Sequence, residues 1–204
     1  MFKFKRTRRV GVAAAIALSV TLVAAGCANS GDAGAGSGEG DAANLTITML
    51  PKNLGNPYFD TSTKGAKAAT EEFGGKFEQV GPTEASPTAQ VQYIQTAAQQ
   101  GVGGLIVSAN DPAALCDALA DARSAGVKVV TFDSDTNPEC RDLFVNQATA
   151  EGIAKVQVDL ITEQIGSKGK IAILSSTPNA TNQNAWIEIM KEELKAYPEV
   201  ELVE

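Results

Sequence analysis

Short polar clusters rich in amides and carboxylates recur along the chain, each shortly after a run of apolar and β-branched residues. They are Lys52-Asn53, Ser108-Ala109-Asn110, Asp133-Ser134-Asp135, Asn146-Gln147 and the segment 177–183. Carboxylates and amides accept and donate hydrogen bonds in planar pairs, which suits adjacent hydroxyls on a polyol ring. Lys52 can add a charge-assisted donor. These residue types therefore favour the binding of a hydroxylated ligand.

The polar clusters are poor in pairs of a nucleophile and a base. The chain has no histidine, the commonest general base and metal ligand. It has no Walker loop and no G-x-S-x-G motif, and the glycines within 101–104 precede a predicted strand rather than open a helix. Asp133 and Asp135 form an acid pair, but residues two apart at a strand end tend to diverge, and no His/Cys cluster indicates a metal. We therefore expect a binding protein rather than an enzyme, with no metal and no cofactor.

The elements that must position these clusters alternate between strand and helix from Leu45 onward. Strands are predicted over 45–50, 77–80, 105–107, 127–132, 143–145, 170–174 and 200–203, and helices over 57–73, 87–100, 112–124, 149–165 and 182–196. Three helices begin with a capping side chain before a proline: Asn56-Pro57, Ser86-Pro87 and Asp111-Pro112. Repeated units of this kind predict an α/β fold with a parallel sheet and helices on both faces.

This topology brings the polar clusters to one edge, because ligands of open parallel sheets bind beyond the carboxyl ends of the strands, where strand order reverses. Tyr58 and Phe59, one turn into the first helix, could lay an aromatic face against a sugar. Each residue also has a structural alternative: Asp133 and Asn146 as turn residues, Tyr58 and Phe59 as core. Apolar residues at i, i+4 and i+8 of the last helix predict a buried stripe: Trp186, Met190 and Leu194.

The N-terminal sequence is typical of an export signal. Basic residues precede an apolar run over 10–25, which ends in small residues at Cys27. We expect a lipoprotein signal peptide over 1–26, lipid attachment at Cys27, and a flexible Gly/Ala/Ser tether over 27–44. Because Ala24 stands where leucine is commoner, cleavage without lipidation remains an alternative. The protein is then expected in the cell envelope, on the outer face of the cytoplasmic membrane or in the periplasm.

The net charge of the chain limits the classes of partner that it can bind. The residues after Gly26 hold 12 basic and 24 acidic side chains, which gives a net charge of −12. Nucleic acid and anionic lipid surfaces repel a protein of this charge.

Outside the cell, Cys116 and Cys140 are expected to pair, closing a loop that contributes roughly 3 kcal/mol in the chain-entropy model. Two buried free thiols are the alternative.

A break in the strand–helix rhythm suggests two lobes. Residues 136–141 contain Asn137-Pro138 and interrupt the pattern. We interpret the break as a crossing from an N-terminal α/β lobe over 45–135 into a hinge and partial C-terminal α/β lobe over 136–204. Two strands and an incipient third do not complete a doubly wound sheet, so the chain is expected to be truncated at its C-terminus.

Several motifs, in order, resemble a known family. They are LPKNLGNPYF (50–59), GPT (81–83), VSANDP (107–112), FDSD (132–135), FVNQ (144–147) and ATNQNAW (180–186). From Leu45 onward the chain resembles the type I periplasmic sugar-binding proteins of ABC importers, in the branch that holds rhamnose-binding and autoinducer-2-binding proteins. The resemblance implies two Rossmann-like, doubly wound parallel-sheet lobes that close on a small sugar. It also implies a monomer that passes the sugar to the membrane subunits of an importer.

The resemblance also implies site residues. The autoinducer-2 type uses the positions of Lys52 and Asp133, followed by an Asp-Gln pair where this chain has Asn182-Gln183. Asparagine both donates and accepts, which favours a rhamnose-like deoxyhexose, although Cys116 and Cys140 sit where the autoinducer-2 type also has cysteines. An autoinducer-2-binding or sensory receptor is the alternative, and the export signal argues against a repressor-like effector domain. The candidate ligand-binding set is Lys52, Asn56, Tyr58, Phe59, Asp133, Asp135, Asn146, Asn182 and Gln183.

Overall fold

The structure, a computed structural model, describes residues 45–203, so the predicted signal peptide, Cys27 and the tether lie outside the described residues. Its strands are β1 (Thr46–Leu50), β2 (Lys76–Gln79), β3 (Gly104–Val107), β4 (Lys128–Phe132), β5 (Leu143–Val145), β6 (Gly169–Ile171) and β7 (Val200–Leu202). Its helices are α1 (Pro57–Glu72), α2 (Pro87–Gln100), α3 (Cys116–Ser124), α4 (Ala150–Gln164) and α5 (Thr181–Glu193), with 3₁₀ turns at Pro138–Cys140 and Leu194–Ala196. Between residues 45 and 203 no helix has the length and apolar character needed to cross a membrane.

The strands form two parallel sheets. The larger has five strands in the order β2-β1-β3-β4-β5, and the smaller pairs β6 with β7. The predicted α/β class with parallel strands is therefore confirmed. The chain runs from β1 outward to β2 and then returns to the other side of β1, so strand order reverses between β1 and β3. This is the topological position at which ligands bind in open parallel sheets.

Two of the three predicted helix starts have the expected cap. The Asn56 side-chain oxygen accepts from the Tyr58 N–H at 3.0 Å, and the Ser86 hydroxyl oxygen accepts from the Ala89 N–H at 3.3 Å. In both helices the proline follows the cap, where its missing N–H has no intrahelical partner to lose. Helix α2 is capped at its C-terminus by Gly101, whose φ of 67° lies in the left-handed region that favours glycine.

The third helix begins later than predicted. Asp111 accepts from the N–H groups of Ala113 and Ala114 at 2.9 and 2.8 Å, so its side chain caps a turn as expected. That turn is tighter than an α-helix, because the Cys116 N–H donates to the Ala113 carbonyl three residues back at 3.0 Å. Helix α3 therefore starts at Cys116 rather than at Pro112.

The pairing of β5 differs from the predicted crossing. The sequence places Leu143–Val145 after the break, in the second lobe. In the structure β5 pairs with β4, with Val130 opposite Leu143 and Phe132 opposite Val145. The first sheet thus extends to Val145, because the 3₁₀ turn at Pro138–Cys140 returns the chain alongside β4 instead of carrying it away. The division of the chain into domains stays a prediction.

Apolar packing holds the large sheet against α2 and α3. Ile94 of α2, Leu119 of α3 and Val129 of β4 are fully buried in one cluster. Burying such a side chain contributes about 1.5–3 kcal/mol. A second cluster joins α4, α5 and the small sheet, and it contains Met190 and Leu194 of the predicted stripe. Trp186 is only partly buried beside it.

The two cysteines lie at the ends of the segment that contains β4. Cys116 is the first residue of α3, and Cys140 is the last residue of the 3₁₀ turn. The structure joins them by a disulfide, with Cα atoms 5.0 Å apart, within the range that the bond allows. Formation of this bond in the exported protein stays a prediction.

Candidate functional site

A cavity of about 250 Å³ opens at the carboxyl edge of the large sheet. Seven of the nine residues in the candidate set line it. The full lining is Lys52, Asn53, Asn56, Tyr58, Phe59, Ala85, Asp133, Gln147, Ser176, Asn182, Gln183 and Trp186. Because cavities for drug-sized ligands are typically about 300–1,000 Å³, this one suits a smaller molecule.

The centre of the cavity wall is a polar group of three side chains. The Lys52 ammonium donates to Asn182 Oδ1 at 3.0 Å, and Asn182 Nδ2 donates to Asp133 Oδ1 at 3.0 Å. Lys52 Nζ also lies 3.8 Å from Asp133 Oδ2. Lys52 and Asp133 are 6% and 8% exposed, so water screens their charges little. We call these three residues the polar triad.

The sheet register explains why the triad meets. Leu50 of β1 lies opposite Val107 of β3, and Val107 lies opposite Thr131 of β4. Lys52 and Asp133 each stand two residues beyond these partners, so both emerge from the same edge of the sheet. Asn182 reaches them from the first turn of α5, where Thr181 donates to the Asp135 carbonyl at 3.1 Å.

Asp133 has an unusual backbone. Its φ of 58° is in the left-handed region, and the Ser134 N–H donates to the Phe132 carbonyl at 2.6 Å across it, forming a γ-turn. Such a conformation in a residue other than glycine costs of order 1–3 kcal/mol and clusters at functional sites. The Ser108 hydroxyl donates to Asp133 Oδ2 at 2.6 Å and orients the carboxylate.

Burial and charge shift two pKa values around the triad. Burial lowers the pKa of Lys52 below its ordinary value, and the neighbouring Asp133 carboxylate opposes that shift. Burial also raises the pKa of the Tyr58 hydroxyl, with the Asp133 charge acting in the same direction. Asp133 is therefore the common electrostatic partner of Lys52 and Tyr58.

Aromatic side chains supply the apolar part of the cavity. Tyr58 and Phe59 are in edge-to-face contact, with ring centroids 5.2 Å apart, and Phe59 contacts Phe132 in the same manner at 6.0 Å. Phe59 is buried, whereas Tyr58 is 45% exposed. Phe59 therefore belongs to the core and the cavity wall at once, which combines the two alternatives considered for it.

Trp186 is a lining residue that the sequence interpretation assigned to the buried stripe. It stands four residues after Asn182 on α5, so the two side chains share a helix face. That spacing is the signal that could have identified it. The stripe continues as predicted at Met190 and Leu194, one and two turns further from the cavity.

Asp135 and Asn146 do not line the main cavity. They line an adjoining one of about 160 Å³, which shares Asp133, Asn182 and Trp186 with it. The Asp135 carboxylate accepts from Arg141 Nε and Nη2 at 2.9 and 2.8 Å and from the Thr136 N–H at 2.9 Å. The hydrogen bonds from Arg141 to the Asp135 carboxylate also raise the pKa of Arg141. Asp135 thus acts within the protein, fixing the chain that follows β4.

Gln183 and Ser176 form a further pair that the sequence reveals only in part. Gln183 was in the candidate set, and its Oε1 accepts from Ser175 Oγ at 2.7 Å and the Ser176 N–H at 2.8 Å. This arrangement brings the loop after β6 to the cavity. Asn53 and Gln147 also line the cavity; they belong to the strand-end clusters but not to the candidate set, and no sequence signal marks Ser176.

The arrangement is suited to binding. The polar triad offers an ammonium, a carboxylate and an amide, and the aromatic rings offer apolar faces. Across residues 45–203, no group of three or more His, Cys, Asp and Glu side chains has the arrangement to hold a metal ion. Donors, acceptors and ring faces of this kind match a small hydroxylated ring.

Comparisons with known proteins place this geometry in a family. The model of the periplasmic binding protein domain matches residues 47–204. A D-ribose/D-allose-binding protein from Pseudomonas aeruginosa is 28% identical in an alignment of length 155 that covers 68% of this chain and 47% of that protein.

Two solved structures are similar in sequence and fold. An ABC transporter solute-binding protein from Clostridium phytofermentas with bound L-rhamnose is 38% identical with a TM-score of 0.75, over 78% of this chain and 50% of that one. LsrB from Clostridium saccharobutylicum in complex with AI-2 is 33% identical with a TM-score of 0.71, over 77% of this chain and 51% of that one. The chain therefore spans about half the length of the relatives it matches.

Proposed function

This chain belongs to the periplasmic binding protein domain family, and on that premise we propose that the whole protein captures a small sugar outside the cytoplasm and delivers it to the membrane subunits of an ABC importer. The observation that carries the proposal is the polar triad at the carboxyl edge of the large sheet, flanked by aromatic rings. We further propose that Cys27 anchors the protein to the membrane by lipid and that it acts as a monomer.

The triad suggests how a sugar is recognised. Asp133 accepts from two neighbouring hydroxyls, and Lys52 donates to a hydroxyl or ring oxygen. Asn182 at present joins these two residues, so a ligand hydroxyl that enters between them replaces the Asn182–Asp133 bond of 3.0 Å. Tyr58 and Trp186 cover the apolar faces of the ring. Because the triad combines residues from the strand ends and from α5, a bound sugar holds these elements together.

We propose a rhamnose-like deoxyhexose as the preferred ligand. The supporting residue is Asn182, whose amide donates to Asp133 and accepts from Lys52. An aspartate at this position could only accept, and it would repel Asp133. The 38% identity to a protein with bound L-rhamnose supports the same choice.

Calorimetric titration of the whole protein with L-rhamnose, D-ribose and autoinducer-2 tests the proposal. We expect L-rhamnose to bind most tightly. Asp133→Ala should weaken that binding by about 1.5–3 kcal/mol, the range for hydrogen bonds to a charged group. Asp121→Ala, which removes an exposed carboxylate from α3, is the matched control and should bind like the wild type. Absence of heat with all three ligands would refute the sugar-binding proposal.

Autoinducer-2 is the second candidate ligand, and the 33% identity to LsrB in complex with AI-2 supports it. A sensory receptor that presents this ligand to a membrane partner would use the same site. Tight binding of autoinducer-2 by the wild type, together with no response to L-rhamnose, would put this candidate first and refute the role given to Asn182.

A further inference from the structure

We propose that Gln90 is a positioning residue of the candidate site, which holds the backbone segments carrying Lys52 and Ser108 in place for ligand binding. This inference rests on the proposed function, since it assigns Gln90 a role in the same site. Gln90 lies on α2 and is not among the side chains that line the cavity. No motif in the sequence distinguishes it from the other glutamines of that helix.

Gln90 is fully buried and uses both ends of its amide. Its Nε2 donates to the Pro51 carbonyl at 3.1 Å and to the Ser108 carbonyl at 2.8 Å. Its Oε1 accepts from the Asn110 N–H at 3.0 Å. One side chain thus holds the residues that follow β1 and those that follow β3.

These bonds replace the sheet ladder where it ends. The Ser108 N–H still donates to the Leu50 carbonyl at 3.0 Å, as the last bond between β1 and β3. Beyond this bond the backbone segments that follow β1 and β3 separate to form the cavity. Their buried N–H and carbonyl groups therefore need hydrogen-bond partners outside the sheet. A glutamine side chain supplies two donors and an acceptor at once, whereas glutamate has no donor and leucine has neither.

The bonds continue to the polar triad by two routes. Asn110, which Gln90 holds by its N–H, donates from Nδ2 to the Lys52 carbonyl at 3.0 Å. Ser108, which Gln90 holds by its carbonyl, donates from its hydroxyl to Asp133 at 2.6 Å. Gln90 therefore holds the backbone of Lys52 through Asn110, and it holds Ser108, which orients Asp133. Its burial within the α2 core gives these segments a rigid support.

The test compares Gln90→Glu and Gln90→Leu with Gln95→Glu and Gln95→Leu, which change an exposed glutamine of the same helix. Hydrogen–deuterium exchange of the ligand-free protein is followed for the segments 50–54 and 107–111, and the affinity for L-rhamnose is measured by calorimetry. We expect faster exchange confined to the two segments, and an affinity loss of about tenfold or more, for the Gln90 variants alone.

The pH dependence of the ligand affinity of Gln90→Glu distinguishes a positioning role from a general loss of stability. Burial among carbonyls raises the pKa of the new carboxyl above the ordinary value of about 4.3, and its protonated form recovers one donor. The affinity ratio of wild type to Gln90→Glu should therefore fall as the pH is lowered from 7 to about 5. Gln90→Leu has no such group, so its ratio should stay constant. If Gln90→Leu does not fold, Gln90→Glu at the lower pH still tests the inference.

Each outcome of these measurements either supports or overturns the positioning role of Gln90. Unchanged exchange in the two segments, wild-type affinity in the Gln90 variants, or accelerated exchange throughout the protein would overturn the positioning role. If the wild type binds no L-rhamnose while the Gln90 variants loosen only the two segments, the proposed sugar ligand fails and the positioning of the segments stands.

Discussion

Replacing Asn182 by aspartate would exchange one amide nitrogen of the polar triad for an oxygen and add a negative charge to the triad. Asn182 Nδ2 now donates to Asp133 Oδ1 at 3.0 Å, and Asn182 Oδ1 accepts from Lys52 at 3.0 Å. In the variant an oxygen stands where the amide nitrogen was. Two carboxylates then face each other, while Lys52 gains a charged acceptor.

The distances decide which effect prevails. Two charges 3.0 Å apart interact by about 5 kcal/mol at an effective dielectric constant of about 20. The new carboxylate lies equally close to Lys52, so attraction and repulsion nearly cancel. What remains is the loss of the hydrogen bond to the Asp133 carboxylate, about 1.5–3 kcal/mol for a charged acceptor. We therefore expect Asn182→Asp to lower the free energy of unfolding at pH 7 by about 2 kcal/mol.

The stability deficit of Asn182→Asp should depend on pH. Protonation of one carboxyl lets its O–H donate to the other and so restores the hydrogen bond that the amide made, which raises the apparent pKa of the pair in the folded state above the unfolded value of about 3.9. Between these two values the folded state binds more protons than the unfolded state, so stability falls as the pH rises through that window. The deficit of Asn182→Asp relative to the wild type should thus be larger at pH 7 than near pH 4.

Urea denaturation at both pH values measures this effect. Asn184→Asp is the control, because it makes the same change on the same helix where the amide donates to the neutral carbonyl of Pro178 at 2.8 Å. Equal deficits for the two variants, or a deficit for Asn182→Asp that does not change with pH, would contradict the electrostatic reasoning. In titrations of the whole protein, Asn182→Asp should also shift ligand preference from L-rhamnose toward autoinducer-2.

Three further predictions concern the disulfide, Asp142 and the expected lipid anchor at Cys27. Replacing Cys116 and Cys140 by serine should lower the free energy of unfolding by roughly 3 kcal/mol, and recovery of two free thiols from the unreduced wild type by mass spectrometry would refute the bond. Hydrogen bonds from the Val129 N–H and from Arg123 lower the pKa of Asp142, so its stabilising contribution is present above the unfolded pKa and lost as the pH falls through the folded one. Asp142→Asn should therefore be less stable than wild type at pH 7, with a smaller difference at pH 3, and a difference that is the same at both pH values would be evidence against this. Cys27→Ser should abolish lipid labelling and release the protein from membranes, whereas continued labelling would exclude that residue as the anchor.

Much of the fold was predictable because its signals are local. The caps at Asn56 and Ser86 and the left-handed Gly101 depend on a few neighbouring residues, so they could be recognised one element at a time. The pairing of β5 was not predictable in this way. Its three residues carry no information on which strand they join, and the chain direction depends on the turn at Pro138–Cys140.

The site was predictable where its residues follow strand ends. Lys52 and Asp133 follow from that rule, and the resemblance singles out Asn182 within the strand-end cluster 177–183. Asp135 follows the same rule but pairs with Arg141, a partner that only the folded chain brings near. Trp186 could be recognised only from its position four residues after Asn182. Gln90 has no such signal, so its proximity to the site is a tertiary property.

The disulfide encloses the part of the chain that holds Asp133. It closes the loop from Cys116 to Cys140, which contains β4 and the γ-turn. The backbone of that turn would relax if the residues after Phe132 could move away from the sheet. The cross-link limits this movement, so the carboxylate is held in its binding orientation before any ligand arrives, and less entropy is lost on binding. In a reducing solution we expect ligand affinity to decline together with the free energy of unfolding, so that the redox state of the medium acts on recognition as well as on stability.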